Sequence, residues 1–85
     1  MSAADRQRAI HHAVTQLLMA ASAKALEVDG AAESVAMISG HEVVCRISAP
    51  VKGTCRTYWR LNGDRYQGRT LLRFLLAEAA REVPQ

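Results

Sequence analysis

The sequence has few aromatic residues, few lysines and prolines, and no long apolar run. Four of its 85 residues are aromatic, two are lysine and two are proline. No apolar run approaches the roughly 20 residues that a membrane-spanning helix needs, so we expect no membrane segment. The first residues, MSAADRQRAIHH, lack the charged, then apolar, then small-residue order of a signal peptide. We therefore expect a cytoplasmic protein.

Catalytic motifs are also missing. The sequence has no Gly-rich phosphate loop, and its serines lie outside any nucleophile-elbow pattern. His11 and His12 would point about 100° apart on a helix. His41 and Glu42 would point to opposite faces of a strand, so they do not form a base with its carboxylate. We expect no enzyme activity, no metal site and no cofactor.

The remaining composition is that of a small globular protein. Apolar residues make up 49% and charged residues 22% of the chain, which is not the composition of a disordered segment. A chain of this length buries roughly 60–65% of its unfolded surface, enough for a single domain over residues 1–85. Nine arginines against two lysines, together with fifteen alanines, favour a GC-rich bacterial or phage genome as the source.

Two amphipathic helices are predicted, one at each end of the chain. Over residues 3–28, apolar residues recur at spacings of three and four. Ser2 and Asp5 predict a capping box at the start of this helix, and Asp29-Gly30 predicts its end. A second helix is predicted over residues 69–82. The expected core residues are Ile10, Val14, Leu17, Leu18, Ala21, Ala25 and Val28 in the first helix and Leu72, Leu75, Leu76, Ala79 and Val83 in the second.

Between the helices, alternating apolar residues predict three or four antiparallel strands. The segments are 34–39, 41–49, 54–61 and a short fourth one at 64–67. Asn62-Gly63 is favoured in a type I′ turn, because both residues tolerate positive φ. The predicted fold is α+β: an N-terminal helix, a three- or four-stranded antiparallel meander and a C-terminal helix, with both helices on one face of the sheet.

The register of the strands follows from keeping the apolar residues on one face. With a three-residue loop at 51–53, the predicted pairs are Pro50 with Thr54, Ile47 with Thr57, Cys45 with Trp59, Trp59 with Tyr66, Arg60 with Arg65, and Leu61 with Asp64. Cys55 then lies more than about 7 Å from Cys45, which excludes a disulfide without rearrangement. Because Cys-x-x-Cys spacing is absent, two buried structural thiols are favoured over half of a metal site.

The order helix, three strands, helix resembles the topology of the double-stranded-RNA-binding domain. The segment GRTLLRFLLAEAA takes the place of that family's basic second helix. In the family this helix opens with clustered lysines followed by small residues, whereas four leucines stand here. The characteristic Glu and Gln near the start of the family's first helix are missing as well. We interpret the resemblance as shared topology and not as membership of the family.

Basic charge is concentrated in one part of the sequence. Residues 43–76 carry seven basic side chains against Asp64 alone, whereas residues 1–42 and 77–85 have net charges of −2 and −1. Such segregation favours an anionic partner. The sheet face away from the helices is expected to carry most of these cations around Tyr58, with Arg46 stacked on that ring. The candidate nucleic-acid-binding residues are Arg46, Arg56, Tyr58, Arg60, Arg65, Arg69 and Arg73.

Two functions fit this pattern. A further alternative is that the basic face has no binding role and only keeps the exposed side of the sheet solvated. The first is binding of DNA or RNA, in which arginines pair with phosphates and Tyr58 stacks on a base. The alternative is an accessory or inhibitor protein, of the kind carried by phages and plasmids, that binds another protein. Leu71 and Phe74 widen the apolar stripe of the last helix beyond what one sheet can cover. A protein partner, or a second copy in a homodimer, would use these two residues as its interface.

Overall fold

The computed structural model describes residues 2–81, which form one four-stranded antiparallel sheet and two helices. The elements in chain order are α1 (Ala3–Val28), β1 (Ala32–Ile38), β2 (His41–Ile47), β3 (Thr57–Leu61), β4 (Asp64–Tyr66) and α2 (Gly68–Arg81). The strands lie side by side in sequence order. α1 contacts β1, β2 and α2, and α2 contacts β3. The predicted α+β fold is confirmed.

Local sequence sets both ends of α1. The Ser2 hydroxyl accepts a hydrogen bond from the Asp5 N–H (3.1 Å), and the Asp5 carboxylate accepts bonds from the Ser2 hydroxyl (2.9 Å) and N–H (3.3 Å). These bonds confirm the predicted capping box and lower the pKa of Asp5. At the other end, Asp29 is left-handed with φ of 52°, and the Gly30 N–H donates to the Ala25 carbonyl (3.2 Å). α1 therefore ends where the sequence predicts.

The core lies between the helices and one face of the sheet. Alternate residues of β2 and β3 are buried there, and their neighbours point outward. The prediction that Val28 joins the core is wrong, since it is 60% exposed. α2 packs near the start of α1, where Gln7 donates to the Leu76 carbonyl (3.2 Å); at the other end of α1, Ala25 still packs against the core and Val28 does not. Val83, also predicted in the core, lies outside the described residues. The buried apolar residues are Ile10, Leu17, Ala21, Ile38, Val43, Cys45, Ile47, Trp59, Leu61, Leu71, Leu75 and Ala79.

The buried stripe of α2 is centred on a different residue from the one predicted. Leu71 and Leu75 are fully buried, whereas Leu72 is only partly buried. The prediction that Leu71 lies outside the core stripe is therefore wrong. The start of the helix explains this orientation, because a Cβ on Gly68 would lie 2.7 Å from Trp59 Nε1. α2 thus begins in direct contact with the indole, and Leu71 and Leu75 follow on that same side at helical spacing.

The predicted strand pairing is confirmed within the strands themselves. The observed pairs include Ile47 with Thr57, Cys45 with Trp59, Trp59 with Tyr66, Arg60 with Arg65, and Leu61 with Asp64. Asn62 and Gly63 have φ of 51° and 88°, as a type I′ turn requires. A slip of one residue would turn the whole apolar set toward solvent, so burial of one face holds this register.

The loop between β2 and β3 differs from the prediction. Val51, and not Pro50, lies opposite Thr54, so the loop consists of Lys52 and Gly53 alone, with φ of 52° and 78°. Between the pairs Ile47–Thr57 and Val51–Thr54, the β2 side of the hairpin has one residue more than the β3 side. This extra residue forms a bulge beside Pro50. Proline has no N–H to donate to a ladder, and it is therefore tolerated at a bulge where it would not be at a paired position.

The two ends of the described chain are bonded to each other. Arg6 Nε and Nη2 donate to the Ala79 carbonyl of α2 at 3.2 and 3.0 Å. A carbonyl in the last turn of a helix lacks an intrahelical partner, and a cation there complements the negative end of the helix dipole. Arg6 therefore fixes the start of α1 against the end of α2.

Candidate nucleic-acid interface

The sheet face that points away from the helices, which we call the outer face, carries four of the predicted binding residues. Arg46 of β2 lies opposite Tyr58 of β3, and Arg60 of β3 lies opposite Arg65 of β4. The three arginines are exposed, and Tyr58 is half-buried. Strand alternation accounts for this placement, because the intervening residues point into the core.

These four side chains surround a depression of about 140 Å³, which we call the arginine pocket. Val44 contributes apolar surface to it, and one carboxylate, that of Glu33, also lines it. Three arginines from three different strands thus converge on one small site. Cations gathered around a depression attract an anionic group of phosphate size. The complete lining is Glu33, Val44, Arg46, Tyr58, Arg60 and Arg65.

Arg65, and not Arg46, stacks on Tyr58. The Arg65 Cζ atom lies 5.4 Å from the ring centroid, within the range of a cation–π interaction. Arg65 lies on the neighbouring strand, diagonal to Tyr58, where a long side chain can reach. Arg46 turns instead toward Glu33, with 3.8 Å between guanidinium nitrogen and carboxylate oxygen. The prediction fails because β1 begins at Ala32, earlier than expected, and this places Glu33 directly opposite Arg46.

Arg56 continues the outer face beyond the end of β3. The Ser48 N–H donates to the Arg56 carbonyl (2.9 Å), and the Arg56 N–H donates to the Ser48 hydroxyl (2.8 Å). These bonds extend the β2–β3 ladder past Thr57, so the exposed Arg56 side chain points to the same side as Tyr58. A fifth predicted residue is thereby brought to this surface.

Arg69 and Arg73 are not brought to the outer face. Together with Gln7 of α1, they line a groove between the two helices. Leu71 points from α2 into the core, and a rotation of 100° per residue places both arginines on the side of the helix away from the sheet. The sheet and the core therefore separate these two cations from the other five residues.

One of the two predicted interface residues remains at the surface. Leu71 is fully buried, whereas Phe74 is 41% exposed and packs edge-on against the His41 ring, with 5.5 Å between centroids. A protein partner or a second copy of the chain would therefore contact Phe74 and not Leu71.

The outer face also has an apolar part, which the sequence pattern did not indicate. Val35 and Met37 of β1 are 57% and 68% exposed, and Val35 pairs with Val44 at the edge of the arginine pocket. Along β1, the residues that point to the outer face and those that point to the core are both largely apolar. Period-two patterning therefore predicts the strand without indicating which of its faces is buried.

His41 belongs to a hydrogen-bonded cluster on the helix side of the sheet. Asn62 Oδ1 accepts from the Glu42 N–H (2.9 Å), so Asn62 Nδ2 donates to His41 Nδ1 (2.9 Å). The other ring nitrogen, Nε2, donates to Glu78 Oε1 (2.8 Å). Both ring nitrogens are therefore engaged by groups of the protein itself. The carboxylate beside His41 belongs to Glu78 of α2, a partner that the local sequence does not reveal.

The two cysteines are free, as predicted, but differ in exposure. Cys45 is fully buried, and burial raises the pKa of its thiol to about 11. Cys55 is exposed, so the expectation that both thiols are buried is wrong. It lies opposite the bulge at Pro50 and lines a groove of about 370 Å³ beside the end of α1. Among residues 2–81, no three His, Cys, Asp or Glu side chains are grouped so that they could hold a metal ion.

Neither helix of the described segment combines the length and apolar character that crossing a membrane requires. A scan against protein-family models matched none, and searches of curated proteins and of solved structures likewise found no match. The chemistry of the outer face is therefore the observation that bears most directly on function.

Proposed function

We propose that this protein binds nucleic acid, DNA or RNA, through the outer face of its sheet. The observation that carries the proposal is the arginine pocket, where Arg46, Arg60 and Arg65 converge beside Tyr58. A phosphate there would accept charge-assisted hydrogen bonds from more than one guanidinium. A tyrosine ring at the same place offers a surface on which a base can stack.

The position of Arg60 directly opposite Arg65 supports the proposal. Like charges at opposite positions of a sheet are destabilising, by roughly 0.2–1 kcal/mol. Tyr58 offsets part of this repulsion by stacking on Arg65. A phosphate between the two guanidinium groups would convert the remaining repulsion into attraction, which gives a reason for an arrangement that destabilises the free protein.

Fluorescence anisotropy of labelled single-stranded DNA, single-stranded RNA and a matching duplex, titrated at increasing salt, tests this proposal. The logarithm of the association constant should fall linearly with the logarithm of salt concentration, by about 0.7–0.9 per neutralised phosphate. Combining Arg60→Gln with Arg65→Gln should weaken binding by at least about tenfold, because two phosphate contacts are lost.

The matched control is Arg69→Gln combined with Arg73→Gln. It removes the same charge from the helix side of the molecule, away from the arginine pocket. We expect this control to retain most of the affinity, with only the small loss that a lower net charge produces. Binding that is independent of salt, or equal losses in the two double variants, would show that the outer face is not the site.

A further inference from the structure

A second depression adjoins the arginine pocket on the outer face. It has a volume of about 590 Å³, lies along the β2–β3 hairpin and is lined in part by Lys52, Thr54, Arg56 and Tyr58; we call it the hairpin pocket. Tyr58 lines both pockets, so the two pockets meet at this residue. We call the two adjoining pockets together the track; Arg46, Arg60 and Arg65 line one half of it, and Lys52 and Arg56 line the other.

We propose that this track holds a single strand of nucleic acid, which passes over Tyr58 and places successive nucleotides in the two pockets. The inference rests on the proposed function and extends it in two respects. It specifies an unpaired strand as the ligand, and it makes Lys52 and Arg56 a second group of phosphate-binding residues. In a duplex the bases are paired and stacked on one another, and they cannot reach a ring where two pockets meet.

The spacing of side chains along β3 fits such a strand. Arg60, Tyr58 and Arg56 alternate along one face, and two residues of a strand span roughly 6.6 Å. The distance from Arg60 to Arg56 is therefore roughly 13 Å, enough for about four stacked nucleotides at 3.4 Å each or for fewer extended ones. Arg65 stacks on the Tyr58 ring at 5.4 Å in the arginine pocket. Since Arg65 covers one face of the ring, a base on the track would stack on the other face.

The conformation of Lys52 is an independent reason to assign it a role. It is exposed at the tip of the hairpin with φ of 52°, in the left-handed region. Asparagine or glycine fits that conformation with less strain than lysine. The turn would therefore be at least as stable without lysine, whose charge stands at the open end of the track.

Lys52→Asn is the sharpest test, because the turn should accept it. The urea midpoint should stay unchanged or rise, since asparagine suits positive φ. With a labelled octathymidylate as the probe, affinity should fall roughly three- to tenfold and the salt slope should decrease by about 0.7, the contribution of one phosphate on a single strand. Lys52→Arg should restore both quantities. Arg56→Gln should act in the same direction as Lys52→Asn.

Stacking on Tyr58 is tested with the same probe. Tyr58→Leu should lower the affinity roughly tenfold, the effect of losing one base–aromatic stack, while Tyr58→Phe should retain it. The thymidine dinucleotide should bind more weakly than octathymidylate, and a duplex of equal length should bind at least about tenfold more weakly than the single strand.

The outcomes separate this inference from the proposed function. The inference is overturned if the duplex binds as tightly as the single strand. It is also overturned if Lys52→Asn and Arg56→Gln change neither affinity nor salt slope while the Arg60 and Arg65 double variant loses binding. In either case the proposed function stands without the second pocket. If the unmodified protein binds none of the probes, the proposed function itself fails.

Discussion

Cys45 and Cys55 are chemically identical thiols, but one is buried and the other is exposed. Burial raises the pKa of Cys45 to about 11, while Cys55 is exposed. Because the thiolate is the reactive form, Ellman's reagent at neutral pH should modify one thiol in the folded protein and two in denaturant. Cys55→Ser should abolish the reaction of the folded protein, and Cys45→Ala should leave it intact. Two thiols that react equally fast without denaturant would contradict the burial of Cys45.

For Tyr58, the sequence predicts the face of the sheet on which the ring lies but not the arginine that stacks on it. Strand alternation places Tyr58 and the neighbouring arginines on one face from the sequence alone. Which arginine stacks on the ring depends on Glu33, which draws Arg46 to within 3.8 Å and leaves the ring to Arg65. The start of β1 decides that competition, and strand boundaries are only weakly marked in the sequence.

The helix α2 gives the clearest case of an element whose existence is easier to predict than its rotation. Its apolar residues are dense enough that neighbouring positions, such as Leu71 and Leu72, are equally plausible core residues. Contact between Gly68 and the Trp59 indole decides between them, since a Cβ at Gly68 would lie only 2.7 Å from Trp59 Nε1. That contact joins separate elements, so periodicity within the helix does not report it.

Substitutions in α2 should reflect this orientation. Leu71→Ala empties a fully buried site and should lower the free energy of unfolding by roughly 2–5 kcal/mol. Phe74→Ala removes a ring that is 41% exposed, and the loss should be on the order of 1 kcal/mol. Urea unfolding followed by circular dichroism measures both. A larger loss for Phe74→Ala than for Leu71→Ala would mean that α2 is rotated from the orientation described.

In the β2–β3 hairpin, the strand register could be predicted from the sequence, but the conformation of the loop could not. Its register was predictable because Cys45 and Trp59 had to share the buried face. Its loop was not, because both a three-residue loop and a two-residue loop with a bulge preserve that pairing. Pro50 decides between them: it cannot donate to the ladder, and the chain bulges beside it.

Across the whole molecule, the fold divides the basic segment between two surfaces. Arg46, Arg60 and Arg65 gather on the outer face, whereas Arg69 and Arg73 lie in the groove between the helices. One basic segment of the sequence thus forms two separate basic surfaces in the structure. The outer face carries Arg60 and Arg65, the like-charged pair at opposite positions of the sheet.

This repulsion should be measurable as stability. Arg60→Gln should raise the free energy of unfolding by roughly 0.2–1 kcal/mol at low salt, and the gain should shrink at high salt as the charges are screened. Urea unfolding at the two salt concentrations measures it, with Arg73→Gln as the control for net charge. The same Arg60 substitution should weaken nucleic-acid binding, so stability and affinity should change in opposite directions. A loss of stability at low salt would show that packing by the Arg60 stem outweighs repulsion.

The sequence by itself determined the elements, their order and the register of β2 with β3 and of β3 with β4. These depend on signals between residues close together in the chain: helical and strand periodicities, the Ser2 and Asp5 capping box, and the Asn62-Gly63 turn. The buried and exposed faces of β3 followed from the same signals, and with them the placement of Tyr58 and Arg60 on one surface.

Only the tertiary structure decided which distant residues meet. It pairs His41 with Glu78 at 2.8 Å, and it moves Arg69 and Arg73 away from the cations of the outer face. The physical reason is that the packing of one element on another depends on contacts between residues far apart in the chain. A helix turned by a single residue, about 100°, keeps its periodicity while it exchanges every neighbour.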